Sequence, residues 1–88
     1  MTPPLYDVID VQVVGDHQLR LTFEDGTVGD VDLSRQEWRG VFEPLADPAY
    51  FAQVRVDREG GTVVWPNGAD MAPEVLYGEA RQHPVRAA

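Results

Sequence analysis

The sequence of 88 residues contains no cysteine and no lysine, and its only serine is Ser34. The lack of cysteine excludes a thiolate nucleophile, a thiolate metal site and a disulfide, and the lack of lysine excludes Schiff-base chemistry. A serine triad would have to combine Ser34 with His17 or His83, the two histidines of the chain. We therefore predict no catalytic residues and no cofactor, and we expect that the protein is not an enzyme.

Long hydrophobic runs are also missing. No stretch of about 18 apolar residues is present, so no membrane span is predicted. Residues 1–5 have neither a basic region nor an apolar one, which is unlike a secretory signal and favours a cytoplasmic location. A chain of this length builds one core, so we predict a single domain over residues 1–80 and a frayed tail over residues 81–88.

Positive charge is scarce. Seven arginines oppose fifteen Asp and Glu residues, which gives a net charge of −8. The excess is concentrated in residues 1–33, where seven carboxylates accompany Arg20 alone. This charge disfavours direct nucleic acid binding and attracts a basic partner, which would contact the first third of the chain. The simpler interpretation is that the charge only maintains solubility.

Three stretches alternate apolar and polar residues with the period of a half-buried strand. They cover residues 7–14, 19–24 and 28–33. In the first stretch, Ile9, Val11 and Val13 are expected to face the core. Asp25–Gly26 is typical of a hairpin turn, and Gly29 suggests a bulge. Together the three strands predict an antiparallel meander.

Two short helical segments follow the meander. Ser34, with a glutamate three residues later, has the pattern of a capping box, which predicts a helix over residues 35–39 that Gly40 ends. Asp47–Pro48 combines a capping aspartate with a proline at the first helical position, and it predicts a second helix over residues 49–53.

The remaining elements complete an α+β pattern. Residues 54–57 and 62–65 predict a second hairpin, and residues 74–81 predict a short C-terminal helix with Pro73 in its first turn. Strands and helices are segregated along the chain, which indicates an α+β fold with a mostly antiparallel sheet. An open sheet of five strands would leave edges, which a homodimer can cover.

The segment from Trp65 to Tyr77 is the densest in candidate binding residues. Asn67 and Gly68 predict a left-handed turn, and Asp70 can cap the next helix or accept hydrogen bonds from loop N–H groups. As a recognition loop, this segment would anchor a ligand on its aromatic residues. The structural interpretation is a strand–loop–helix corner.

Carboxylates on the meander form a second candidate site. Asp30 and Asp32 share one face of the third strand, and Asp10 can lie on a neighbouring strand. Such groups bind hard cations or serve in hydrolysis, but the glycine and bidentate glutamate of a calcium loop are missing. We predict no metal site and keep Asp30 and Asp32 as candidate binding residues. His17, beside Asp16 in a predicted turn, is expected to be solvated.

A family resemblance rests on five motifs in order. They are Leu19 to Gly26, Val31 to Leu33, Phe42 to Phe51, Val54 to Asp57, and Val64 to Tyr77. With them the chain resembles, over about residues 6–78, the small bacterial proteins grouped as domain of unknown function 2442. The resemblance implies an α+β fold and supplies no catalytic residues. Some members are encoded beside small toxin-like proteins, which implies an antitoxin-like role; others carry a helix-turn-helix domain, which this chain lacks.

Three hypotheses for function follow, in this order. The first is a non-enzymatic protein-interaction module, an antitoxin-like partner of a small basic protein. The alternative is a small-ligand-binding regulatory domain that uses the Trp65–Tyr77 region. The third is a metal-dependent hydrolase that uses Asp10, Asp30 and Asp32.

Overall fold

The computed structural model describes residues 7–85, and the structural statements that follow concern those residues. The elements are β1 (Val8–Gly15), β2 (Gln18–Phe23), β3 (Val28–Asp32), a 3₁₀ helix (Gly40–Ala46), α1 (Pro48–Phe51), β4 (Arg55–Asp57), β5 (Thr62–Val64) and α2 (Pro73–Gln82). The predicted α+β class is confirmed, with a meander, two short helical segments, a second hairpin and a C-terminal helix.

The first three strands form an antiparallel sheet in the order β1-β2-β3. Leu19, Leu21 and Phe23 alternate with polar residues along β2, and all three are buried, as predicted. The turn between β2 and β3 is closed by Asp25, whose carboxylate accepts a hydrogen bond from the Thr27 N–H at 2.9 Å. Gly26 has φ +91° in this turn, a conformation that favours glycine.

The pattern in β1 differs from the prediction. A register shift between Val8 and Asp10 leaves Ile9 as an extra residue opposite β2. Val8 is buried, whereas Ile9 is 55% exposed. Val13, near the end of this edge strand, is 41% exposed, and Val11 packs partly against the core. The prediction for Ile9 is therefore wrong, because strict alternation cannot reveal a bulge, whereas Val13 pairs with the buried Leu19 on the predicted face but is only partly covered.

The second hairpin, β4-β5, forms a separate two-stranded sheet rather than extending the first. The Val8 N–H donates a hydrogen bond to the Gly61 carbonyl at 3.0 Å, which joins the two sheets at one point. The expected open sheet of five strands is therefore two sheets. Both contribute to one core, whose buried apolar residues are Val8, Leu19, Leu21, Phe23, Val31, Leu33, Leu45, Phe51, Val63, Trp65, Ala69, Leu76 and Ala80.

The helix predicted over residues 35–39 is absent from the described chain. The backbone N–H of Ser34 donates to the Asp32 carboxylate at 2.9 Å, so this part of the chain forms an aspartate turn instead of a capped helix. Five residues are too few for a helix that tertiary contacts do not support. Trp38 instead packs against the core. Gly40 begins the 3₁₀ helix rather than ending an α-helix.

The Asp47 prediction is confirmed. Its carboxylate accepts the Ala49 N–H at 2.9 Å, and Pro48 occupies the first turn of α1. This cap satisfies a backbone donor that has no partner inside the helix.

Helix α2 packs against β3, and Gly29 is the residue that allows it. The β2–β3 register is continuous through Gly29, so the predicted bulge is wrong. A β-carbon at this position would overlap the carbonyl group of Ala80 in α2. The glycine is therefore explained by a close approach between helix and sheet.

The chain after α2 returns to the outer edge of β3. The Asp30 N–H donates to the His83 carbonyl at 3.0 Å, and the Val85 N–H donates to the Val28 carbonyl at 2.9 Å. Residues 81 and 82 thus belong to α2 and residues 83–85 pair with β3, where the sequence predicted a frayed tail. Residues 86–88 lie outside the described residues. Between residues 7 and 85, no helix has the length and apolar character needed to cross a membrane.

Candidate functional site

His17 is packed rather than solvated, contrary to the sequence-based expectation. Its ring lies 4.9 Å from that of Phe51 and 5.2 Å from that of Trp38, measured between centroids. Its Nε2 is 2.7 Å from the carbonyl oxygen of Leu45. Its own carbonyl accepts the Leu33 N–H at 2.8 Å. His17 therefore connects the β1–β2 turn to the segment that follows β3, a contact between residues too far apart for local sequence patterns to reveal.

Trp65 is fully buried and serves the core. Its indole N–H donates to the Phe51 carbonyl at 2.9 Å, and the two rings are 5.5 Å apart between centroids. A ligand cannot touch Trp65 without displacing the side chains around it. The structural interpretation of this residue, as part of a strand–loop–helix corner, fits the geometry.

Asn67 holds the loop that follows β5. Its side-chain oxygen accepts the Ala69 N–H at 3.1 Å, and its amide donates to the Val41 carbonyl at 2.7 Å. Gly68 has φ +87°, in agreement with the predicted left-handed turn. The Asn67 side chain thus ties the loop to the 3₁₀ helix.

Asp70 lies exposed just before α2 and does not cap it. The N-cap residue is Ala72, which makes no side-chain capping hydrogen bond. In this loop the Ala69 N–H donates to the side chain of Asn67, two positions earlier, rather than to Asp70. The Asp70 carboxylate is left on the surface.

Tyr77 fixes α2 to the β2–β3 turn. Its hydroxyl donates to the Asp25 carboxylate, and its ring meets Phe23 edge-on with centroids 5.1 Å apart. The guanidinium of Arg81 lies 5.7 Å from the centre of the Tyr77 ring. The hydrogen bond from Tyr77, with a further one from Thr27, lowers the pKa of Asp25.

The carboxylates of β3 are engaged separately. Asp30 accepts from the Arg20 guanidinium on β2 at 2.9 Å, and this hydrogen bond and charge raise the pKa of Arg20. Hydrogen bonds from Ser34 lower the pKa of Asp32. In the described range, no three or more His, Cys, Asp or Glu side chains are grouped so that they could hold a metal ion. Asp10 pairs with Thr22 in the β1–β2 register.

The six predicted binding residues do not converge on one site. Asp32 and Asp70 line a groove between α2 and residues 31–42, which we call the α2 groove. Its volume is about 420 Å³. Asp30 and Asp32 also line a second, polar depression beside His83. Trp65, Asn67 and Tyr77 line neither of these two cavities, so the region proposed for a small ligand is not a common cleft.

A family comparison now bears on this arrangement. A family model described as "Protein of unknown function (DUF2442)" matches residues 8–82, which is most of the chain. The chain belongs to DUF2442. The match confirms the resemblance that the sequence motifs indicated, and it includes every residue that lines the α2 groove. No curated protein and no solved structure matches this chain.

In this DUF2442 domain, sequence reasoning missed several residues of the α2 groove. They are Trp38, Met71, Val75 and Glu79, with Glu37 at the rim. Val75 and Glu79 are four residues apart, a spacing that places both on one face of a helix. The signal in the sequence was Val75, an apolar residue on the polar side of a short helix, which indicates an exposed apolar surface. The groove itself depends on the irregular chain after β3, which was predicted as a helix.

Proposed function

We propose that this DUF2442 domain is a non-enzymatic protein-interaction module that binds a small basic protein. The observation that carries the proposal is the placement of its charge. All fifteen carboxylate residues lie within the described chain, and none of them is buried. The described ion pairs engage two of these carboxylates, those of Asp30 and Glu37. The resulting negative field accelerates encounter with a basic protein and selects against acidic ones.

The absence of an enzymatic role is part of the same proposal. A triad would need His17 or His83 together with Ser34. The His17 ring is packed between aromatic residues and bonded to a backbone carbonyl. Ser34 takes part in the turn at Asp32. These roles support an architecture in which the titratable groups serve structure and surface charge.

The antitoxin-like character of the proposal rests on the family. Some DUF2442 members are encoded beside small toxin-like proteins, so a partner encoded next to this chain is the first candidate. In this role the domain would neutralise its partner by covering it.

The test is affinity capture with the full 88-residue chain, tagged and expressed in its native host. We expect a small basic protein, encoded by a neighbouring gene, to be retained at low salt and released as ionic strength rises. Co-expression of the chain should restore growth when that protein is toxic. The proposal fails if the folded chain retains no neighbouring gene product and leaves toxicity unchanged. Cell fractionation tests the location, and the mass of the purified chain in solution tests for a homodimer.

A further inference from the structure

The α2 groove has an apolar interior. Its floor is made of the buried residues Val31, Leu33 and Leu76. Trp38 and Met71 are half-buried beside this floor. The volume of about 420 Å³ lies within the range of about 300–1,000 Å³ that is usual for small-molecule pockets. The groove can therefore accept two or three apolar side chains of a partner.

An apolar residue of α2 stands at the mouth of this groove. Val75 is 63% exposed, the largest exposure among the exposed large hydrophobic residues of the described chain. Leu76 and Ala80 are the buried residues of α2 and mark its core-facing side, and Val75 lies beside that side. An exposed valine next to an apolar depression extends the surface that a partner can cover.

The rim of the groove is acidic. Asp32, Glu37, Asp70 and Glu79 line it, and no arginine is among its lining residues in the described chain. A hydrogen bond from the Ser34 N–H at 2.9 Å stabilises the charged form of Asp32. Glu37 lies 3.2 Å from Arg39, but both side chains are more than 70% exposed, so this pair is weak in water. The negative charge of the rim is therefore available to a partner.

We propose that the α2 groove is the docking surface for an amphipathic basic segment of the partner protein. This inference rests on the proposed function, and it identifies the surface that would bind the basic partner. Apolar side chains of the segment would enter between Trp38 and Val75, while its Arg and Lys residues would meet the four carboxylates of the rim. This is the helix-in-groove mode of recognition, in which apolar anchors supply affinity and charges set orientation and partner choice.

The location differs from the one that charge counting indicates. Residues 1–33 hold most of the excess negative charge, but only Val31, Asp32 and Leu33 among them line the α2 groove. Other exposed carboxylates in this third, such as Asp10 and Asp16, lie outside the α2 groove. They contribute to the long-range negative field but not to the acidic rim of the groove. We infer that these carboxylates speed the approach of the basic partner, and that the α2 groove makes the direct contacts with it.

The first experiment uses a defined peptide. An amphipathic peptide of about 18 residues, or five helical turns, carries Leu at i, i+3, i+4 and i+7 positions and Arg on the opposite face. A scrambled peptide of the same composition is the control. The full chain, labelled with ¹⁵N, should show amide shifts concentrated around Trp38, Met71, Val75 and Glu79. We expect the scrambled peptide to bind at least about tenfold more weakly, because it retains charge without an apolar face.

Two pairs of variants separate contact from general charge. Asp70→Asn/Glu79→Gln removes two charges from the rim, and Asp10→Asn/Asp16→Asn removes two charges from the meander. We expect the rim variant to lose about tenfold in peptide affinity and the meander variant less than about threefold, as near and distant charges differ. Val75→Arg should abolish measurable binding, whereas Val14→Arg, which makes the same change on β1, should not.

Several results would contradict the proposal that the α2 groove is the docking surface. Shifts spread over residues 8–30, equal losses in the two charge variants, or no binding of the amphipathic peptide would each contradict this docking site. Binding of a small organic cation in the groove, without binding of the peptide, would instead assign it to a small ligand. Affinity capture from the host then separates the two proposals. If Val75→Arg retains the partner as well as the unmodified chain does, the docking surface is wrong but the proposed interaction module stands. If the unmodified chain retains no partner, both proposals are wrong.

Discussion

The imidazole Nε2 of His17 and the carbonyl oxygen of Leu45 lie 2.7 Å apart across 28 positions of the chain. His17 has φ +59°, a conformation that costs energy for a residue with a β-carbon. Its ring also packs against Trp38, which lines the α2 groove. One side chain thus fixes the segment that forms one wall of the candidate docking surface.

Substitution of His17 should separate backbone strain from ring contacts. His17→Ala and His17→Gly both remove the ring, and we expect each to lower the free energy of unfolding by about 1–3 kcal/mol. His17→Gly should be the more stable of the two by about 1 kcal/mol, because glycine tolerates positive φ. Urea unfolding at neutral pH measures both differences.

The matched control is the other histidine. His83 is exposed, and its described contact with β3 is made by its backbone carbonyl, so His83→Ala should change stability by less than about 0.5 kcal/mol. If His17→Ala were as stable as the unmodified chain, the ring of His17 would not hold this segment.

The contact between Gly29 and Ala80 predicts opposite effects for two glycine-to-alanine substitutions. Gly29→Ala places a methyl group on the Ala80 carbonyl and should destabilise the fold by about 1–3 kcal/mol or more. Gly78→Ala, in the same helix, meets nothing within 4 Å and should stabilise the fold by up to about 1 kcal/mol. Thermal unfolding of the two variants compares them directly. A neutral Gly29→Ala would show that α2 does not approach β3 this closely.

Sequence patterns predicted the elements whose causes are local. The alternation of Leu19, Leu21 and Phe23 with polar residues predicts β2. In the Asp25 turn and in the Asp47 cap, the aspartate carboxylate accepts a hydrogen bond from the N–H only two residues later. The fold class follows from such elements, since their order along the chain limits how they can pack.

Elements with distant causes were missed. Residues 35–39 satisfy the local rules for a short helix, yet the contacts of Trp38 with the rings of His17 and Phe51 override them. Gly29 was attributed to its own strand, although its neighbour Ala80 comes about fifty residues later. The α2 groove lies between two such regions, which explains why two of its carboxylates were predicted and most of its apolar residues were not.

The hydrogen bond from Tyr77 to Asp25 predicts a change in titration. The bond stabilises the charged carboxylate, so the pKa of Asp25 lies below its ordinary value of about 3.9. Tyr77→Phe should raise that pKa toward the ordinary value, as followed by the side-chain carboxyl signal in NMR. The pKa of Asp32, which Ser34 lowers, is the internal control and should not move.

The same bond has a consequence for stability as pH changes. A carboxyl group with a lowered pKa in the folded state contributes stability above its ordinary pKa, and that contribution is lost as pH falls through the folded value. The difference in stability between the unmodified chain and Tyr77→Phe should therefore be present at pH 6 to 7 and shrink below about pH 4. A difference that stays constant with pH would assign the effect to packing of the ring against Phe23 instead.

The two hydrogen bonds of Asn67 predict distinct effects for two substitutions. Asn67→Ala removes both bonds and should lower stability by about 1 kcal/mol, because the residue is exposed and water replaces part of the loss. Asn67→Asp keeps an oxygen that can accept the Ala69 N–H but loses the donor to the Val41 carbonyl, and it sets a negative charge near that carbonyl oxygen. Hydrogen exchange of the Ala69 amide should therefore accelerate in Asn67→Ala and remain slow in Asn67→Asp, while the 3₁₀ helix opens more often in both.

Asp70→Asn is the control, since Asp70 neither caps α2 nor closes the loop, and the stability of this variant should stay within about 0.5 kcal/mol of that of the unmodified chain. Equal exchange rates in all three variants would mean that the backbone alone sets the loop, and that the Asn67 amide does not hold the 3₁₀ helix beside the groove.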